Sequence, residues 1–143
     1  MSPVEPTLPF TAQDIVAIRQ DLVESHPASD RTVREIDAPC VDSAMQAALQ
    51  GAFYTAIDGH LDHIHIASFL LYYVAKRHCF TDGNKRVAWA VAVDYFLQQG
   101  LMIVADQQDA AKLVEDVACD LLSKEDIIRW FGADNRLQEV GVV

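Results

Sequence analysis

The sequence predicts a single all-α domain, a compact bundle of about six helices around a buried central one. Apolar residues recur at spacings of three and four in one segment after another. The stretch 62–77 is apolar on every side rather than along one stripe, which marks a helix buried at the centre. Cap-forming residues stand at segment ends, among them Thr11 with Asp14, Gly100, Ser123 with Asp126, and Gly132. With 143 residues, 51% of them apolar, the chain is long enough to bury one real core. No repeat, low-complexity stretch or linker divides it, so 1–143 reads as one domain with an extended arm at 1–10 and a tail at 133–143.

Each element follows from its own pattern. Thr11 opens a first helix whose face is Ile15, Ile18 and Leu22, ending near Ser25. The polar stretch 24–37 carries Pro27, shows no period, and is expected as a surface loop. A second helix is expected over 41–55 from Met45, Leu49 and Phe53 at spacing four, with a turn at Asp58-Gly59. The central helix, 62–77, follows. The next helix spans about 83–99, with Ala88, Val91, Ala92, Tyr95 and Phe96 on one side and Gly100 as a left-handed terminator. A short extended connector, 101–104, leads to helices over roughly 108–122 and 123–131. The aromatics Trp89, Tyr95, Trp130 and Phe131 sit at helical spacing and are assigned to the core.

Composition narrows the function. A net charge of −10 opposes direct nucleic-acid binding, which needs a basic surface to displace counterions. The three cysteines, Cys40, Cys79 and Cys119, show neither metal-type nor C-x-x-C spacing and read as reduced thiols. The arm 1–10 has no basic start followed by an apolar stretch, so it is not a signal peptide. The longest apolar run is too short to cross a bilayer. A cytoplasmic protein with no membrane association is expected. His60, Asp62, His63 and His65 cluster in sequence, but His63 and His65 are two apart and cannot share a helix face; zinc is not expected there.

One segment breaks the pattern: His78-Cys79-Phe80-Thr81-Asp82-Gly83-Asn84-Lys85-Arg86. Four of the eleven basic residues, Lys76, Arg77, Lys85 and Arg86, fall within eleven consecutive positions of an acidic chain. Lys76 and Arg77 close a helix, where cations are favourable. Lys85 and Arg86 open the next, where the helix dipole opposes them at a cost of roughly 0.3–1 kcal/mol each. Two adjacent violations suggest a compensating anion. Helix N-termini hold phosphates because their first N–H groups are unpaired, and Gly83 lets a ligand approach that backbone closely. His78 can take a proton near neutral pH. Asp82 offers a hard oxygen to magnesium, Asn84 an amide to a phosphate or its metal, and Phe80 an anchor for the loop. Base, metal ligand and anion clamp within nine residues describe a phosphoryl- or nucleotidyl-transfer site.

This segment resembles the Fic/Doc signature H-x-F-x-D/E-G/A-N-G/K-R, matching all seven specified positions. The resemblance implies that His78 is the general base, that Asp82 binds magnesium, and that Gly83, Asn84, Lys85 and Arg86 line the phosphate site of ATP. The helix order resembles the short death-on-curing (Doc) branch, which also carries lysine at the position of Lys85 where adenylyl-transferring members carry glycine. In the family reading that lysine implies reversed ATP and transfer of the γ-phosphate, and the resemblance to the Doc branch implies elongation factor Tu as the target of a toxin that arrests translation. The family's substrate flap would fall near 56–62. Self-inhibited members carry S/T-x-x-x-E-G/N, yet none of the six glutamates here has Ser or Thr four residues earlier; the resemblance implies an antitoxin acting in trans. Adenylyl transfer and an inactive phosphate-binding module stand as the alternatives.

Overall fold

The computed structural model describes residues 14, 17, 38–55, 63–77 and 84–140. Among these the chain is mostly helical: α1 (Ala38–Thr55), α2 (His63–Arg77), α3 (Asn84–Gln98), β1 (Leu101–Ile103), α4 (Gln107–Ala118), α5 (Lys124–Gly132) and β2 (Leu137–Glu139). Asp14 and Ala17 are also helical. The rest of the expected first helix, the loop at 24–37 and the turn at Asp58-Gly59 lie outside the described residues.

The central helix stands where its composition places it. α2 packs against α1, α3, α4 and α5, and Ile66, Ala67, Ser68, Phe69, Leu70, Leu71, Val74 and Ala75 are all buried. A helix surrounded by four others needs apolar side chains on every face, which is why the segment shows no stripe. α1 lies close to it: a Cβ added at Gly51 would stand 2.8 Å from two ring carbons of Phe69. The glycine is what permits that approach.

The outer helices show the opposite pattern. α4 buries Ala110, Leu113, Val114 and Val117 on one face, the i, i+3, i+4, i+7 spacing of a surface helix. Its N-cap, Asp106, accepts the Gln108 N–H at 2.7 Å. The helix stops at Ala118, earlier than the expected 122, in a Schellman turn. Leu121 N–H bonds Asp116 O at 2.8 Å and Asp120 N–H bonds Val117 O at 3.2 Å, with Asp120 left-handed at φ 62°. α5 opens on the expected Ser123, which forms a full capping box with Asp126, and Arg129 pairs with Asp126 from the next turn. Trp89 stacks on Phe131 (centroids 6.4 Å, planes 17° apart), and Phe96 meets Phe131 edge-on at 5.1 Å. Tyr95 and Phe131 are buried, and Trp89 and Trp130 pack against the core as assigned.

Gly100 is left-handed at φ 78° and turns the chain into β1. This strand pairs antiparallel with β2 in the register Leu101↔Glu139, Met102↔Gln138, Ile103↔Leu137. Val104 N–H to Arg136 O (2.6 Å) and Val140 N–H to Gly100 O (2.9 Å) extend the ladder at both ends. β2 falls within the stretch read from sequence as a tail. Three residues, Leu-Gln-Glu, carry too short a pattern to announce a strand; the pairing comes from a partner more than thirty positions upstream. Arg136 secures the return, with its guanidinium 4.0 Å above the Trp130 ring and Nη1 donating to Trp130 O at 2.7 Å. No helix among the described residues is long and apolar enough to cross a membrane.

Candidate functional site

The signature segment spans the gap between α2 and α3. His78, Cys79, Phe80, Asp82 and Gly83 lie outside the described residues. What the structure places is the frame on either side of them: α2 ends at Arg77 and α3 begins at Asn84.

The four cations of the basic island separate into two pairs. Those before the segment are tied into the scaffold. Lys76 forms an ion pair with Asp120, beyond the end of α4, and its ammonium lies 5.7 Å from the Tyr72 ring centre. Arg77 donates from Nη1 to Ser43 Oγ at 3.1 Å and covers the Tyr73 ring at 5.7 Å. Both also stand at the negative end of α2's dipole, which favours them. The second pair occupies the opposite electrostatic setting. Lys85 and Arg86 lie exposed in the first turn of α3, a turn that contains no acidic residue. The helix provides its own anion-facing N–H groups there, and the two cations add to that field.

Lys85 nevertheless meets a carboxylate from elsewhere. Its Nζ is 2.5 Å from Glu115 Oε2, on α4. The other oxygen, Oε1, accepts from the Cys119 thiol at 3.5 Å. The hydrogen bond from Lys85, then that from Cys119, then the ammonium charge hold the Glu115 carboxyl below its ordinary range. The same hydrogen bond acts first, ahead of desolvation, to push the Cys119 thiol up, because a donated proton is harder to lose. Neither Glu115 nor Asp120 was visible as a site residue in the sequence. They lie 30 and 44 positions from their partners, and only packing brings them near.

The thiol expectation needs correcting at one position. Cys119 is an exposed free thiol, but Cys40 is disulfide-bonded. Cys40 Sγ stands 3.8 Å from the Arg77 carbonyl oxygen, so the first turn of α1 abuts the last turn of α2. Spacing rules look for cysteines close in sequence and do not register such a contact across 37 positions.

Of the histidine cluster, His60 and Asp62 lie outside the described residues. His63 Nδ1 is 3.0 Å from Tyr95 Oη, with the rings edge-on at 5.9 Å. Among the described residues no group of three or more His, Cys, Asp or Glu side chains could hold a metal ion. Asp82, the residue expected to hold magnesium, lies outside them. One carboxylate of that kind suits a cation that keeps several waters and shares phosphate oxygens.

The described frame is a mostly helical domain with Lys85 and Arg86 in the first turn of α3. The sequence model of the Fic/DOC family matches residues 9–97, more than half of the chain. The protein belongs to the Fic/DOC family. No curated protein matches it. Members of this family are typically transferases that act on proteins, transferring a nucleotide or phosphate group.

Proposed function

We propose that this protein transfers the γ-phosphate of ATP to a hydroxyl side chain of another protein, in the manner of the death-on-curing branch. The observation that carries the proposal is Lys85, the branch-distinguishing signature residue, standing in the first turn of α3. A lysine stem there takes up the space that a second phosphate would need beside the helix end, and its charge attracts a terminal phosphate instead.

In this scheme His78 takes the proton of the attacking hydroxyl. The hydroxyl oxygen forms a bond to the γ-phosphorus as the bond from that phosphorus to the bridging oxygen breaks, and ADP leaves with the bond's electron pair. The N–H groups at the start of α3, with Asn84 and Arg86, hold the phosphate oxygens in place while charge develops on them. Gly83 admits the phosphate to that backbone, and Phe80 anchors the loop so that His78 keeps its position. Magnesium, held by Asp82, would neutralise charge across the phosphates. By resemblance the target is a translation protein, elongation factor Tu, the setting is a cytoplasmic toxin–antitoxin pair, and the restraint is an antitoxin binding in trans. No direct role for nucleic acid or membrane is proposed.

Adenylyl transfer is the second reading, and one observation favours it: the Lys85 ammonium is engaged by Glu115 on α4. The two are separated by incubating the protein with cell extract and ATP labelled on either the α- or the γ-phosphate. Protein-bound γ-label that vanishes in His78→Ala is the expected result. Protein-bound α-label refutes phosphoryl transfer, and no label from either ATP points to a binding module without catalysis.

A further inference from the structure

The end of α4 faces both flanks of the signature segment. Asp120 pairs with Lys76 on the α2 side, and Glu115 pairs with Lys85 on the α3 side. The first contact consolidates a cation that the α2 dipole already favours. The second differs, because Lys85 stands where the α3 dipole opposes it, and Glu115 supplies a carboxylate that the first turn of α3 does not itself contain. Glu115 is itself held on both oxygens, by Lys85 and by the Cys119 thiol. The carboxylate thus occupies, with respect to Lys85, the electrostatic role that a phosphate oxygen would take.

We propose that Glu115 is a competing counter-ion of the nucleotide site: it holds Lys85 through a displaceable ion pair, and a polyphosphate must compete with it for the ammonium. The inference rests on the phosphate-site proposal above. Lys85 and Glu115 are each about half exposed, 52% and 53%, so water screens the pair and exchange of partners is easy. Because the competition is for the Lys85 ammonium, it weakens every polyphosphate that engages that ammonium, whatever the nucleoside. Its effect therefore belongs to phosphate affinity, before any choice between phosphoryl and adenylyl transfer.

The test uses the full chain and two probes, inorganic tripolyphosphate and ATP with magnesium, with binding followed by titration calorimetry at low and moderate salt. Glu115→Gln keeps the shape of the side chain and one acceptor oxygen but removes the charge. The expected result is binding of both probes tighter by roughly two- to fivefold, the range of a screened surface ion pair, with a smaller gain at higher salt. The gain should disappear when Lys85→Met is the background, because the competition then has no object. Unchanged or weaker binding in Glu115→Gln, with the unaltered protein binding normally, overturns the inference and leaves the phosphate site standing. A gain that persists in the Lys85→Met background overturns it too, since Glu115 would then act by general repulsion alone. If neither the unaltered protein nor Glu115→Gln binds either probe, the phosphate site itself fails and the inference falls with it.

Discussion

Replacing Gly51 with alanine sets two effects of opposite sign against each other. Gly51 lies in the interior of α1, and alanine there gains about 1 kcal/mol of helix propensity over glycine. The added methyl, however, would stand 2.8 Å from Cδ2 and Cε2 of Phe69. The ring must retreat by roughly 0.6 Å to restore a van der Waals separation of about 3.4 Å. Phe69 is only 1% exposed and belongs to the central helix, so it has no open space to swing into. Overpacking of this kind costs about 1–3 kcal/mol, and the net effect is a loss of up to about 2 kcal/mol. At about 3 °C per kcal/mol for a chain of this size, the melting temperature should fall by as much as roughly 6 °C. Gly132→Ala is the control, because a Cβ there meets nothing within 4 Å and only the propensity gain remains. Thermal and urea unfolding followed by circular dichroism will measure both. If Gly51→Ala is stabilised as much as Gly132→Ala, helix propensity governs the site and the close approach of α1 to α2 is refuted.

Two further outcomes are expected. Ser68 is fully buried, and its Oγ has no hydrogen-bond partner among the described residues; Ser68→Ala should leave stability unchanged or raise it by up to about 1 kcal/mol, and a loss of more than that by urea denaturation would show that the hydroxyl is satisfied. Asp126 is held below its ordinary carboxylate range by the Ser123 backbone N–H first, then by Arg129 and the Ser123 hydroxyl. A carboxyl depressed in the folded state stabilises above its unfolded pKa and loses that stabilisation as pH falls through the folded value. Urea midpoints measured from pH 7 down to roughly pH 3 should therefore decline less steeply in Asp126→Asn, and an identical slope would remove Asp126 from the acid response.

Most of the helical frame was legible because its signals are local. The all-round apolar character of α2, Gly100 at a left-handed position and the Ser123–Asp126 box each follow from residues within one or two turns. α4 ends earlier than its pattern predicts for an equally local reason. Terminators are sought at glycine or asparagine, whereas here Asp120 adopts the left-handed conformation. What stayed hidden depends on packing between elements. β2 exists because β1 is beside it, Cys40 meets Arg77 because the first turn of α1 abuts the last turn of α2, and Glu115 reaches Lys85 because α4 packs against α3. The signature was readable residue by residue, and the structure adds Asn84, Lys85 and Arg86 at the start of α3. The charges that surround them come from parts of the chain that no motif links to it.

The small sheet has a consequence of another kind. The family match ends at residue 97, and β1 begins at Leu101. From there the chain makes an excursion through α4 and α5 and returns at β2 to within one strand spacing, about 4.8 Å, of where it left. Two paired strands thus form a neck, and everything between them is a cassette whose ends are already closed. Closing a loop costs little more when the loop lengthens, so the exposed turns of this cassette tolerate changes of length, while the apolar faces of α4 and α5 stay packed on α2. Glu115 and Asp120 are both carried inside it. The charge presented to the signature can therefore be rewritten by substitutions at exposed positions of the cassette, leaving the residues of the signature unchanged.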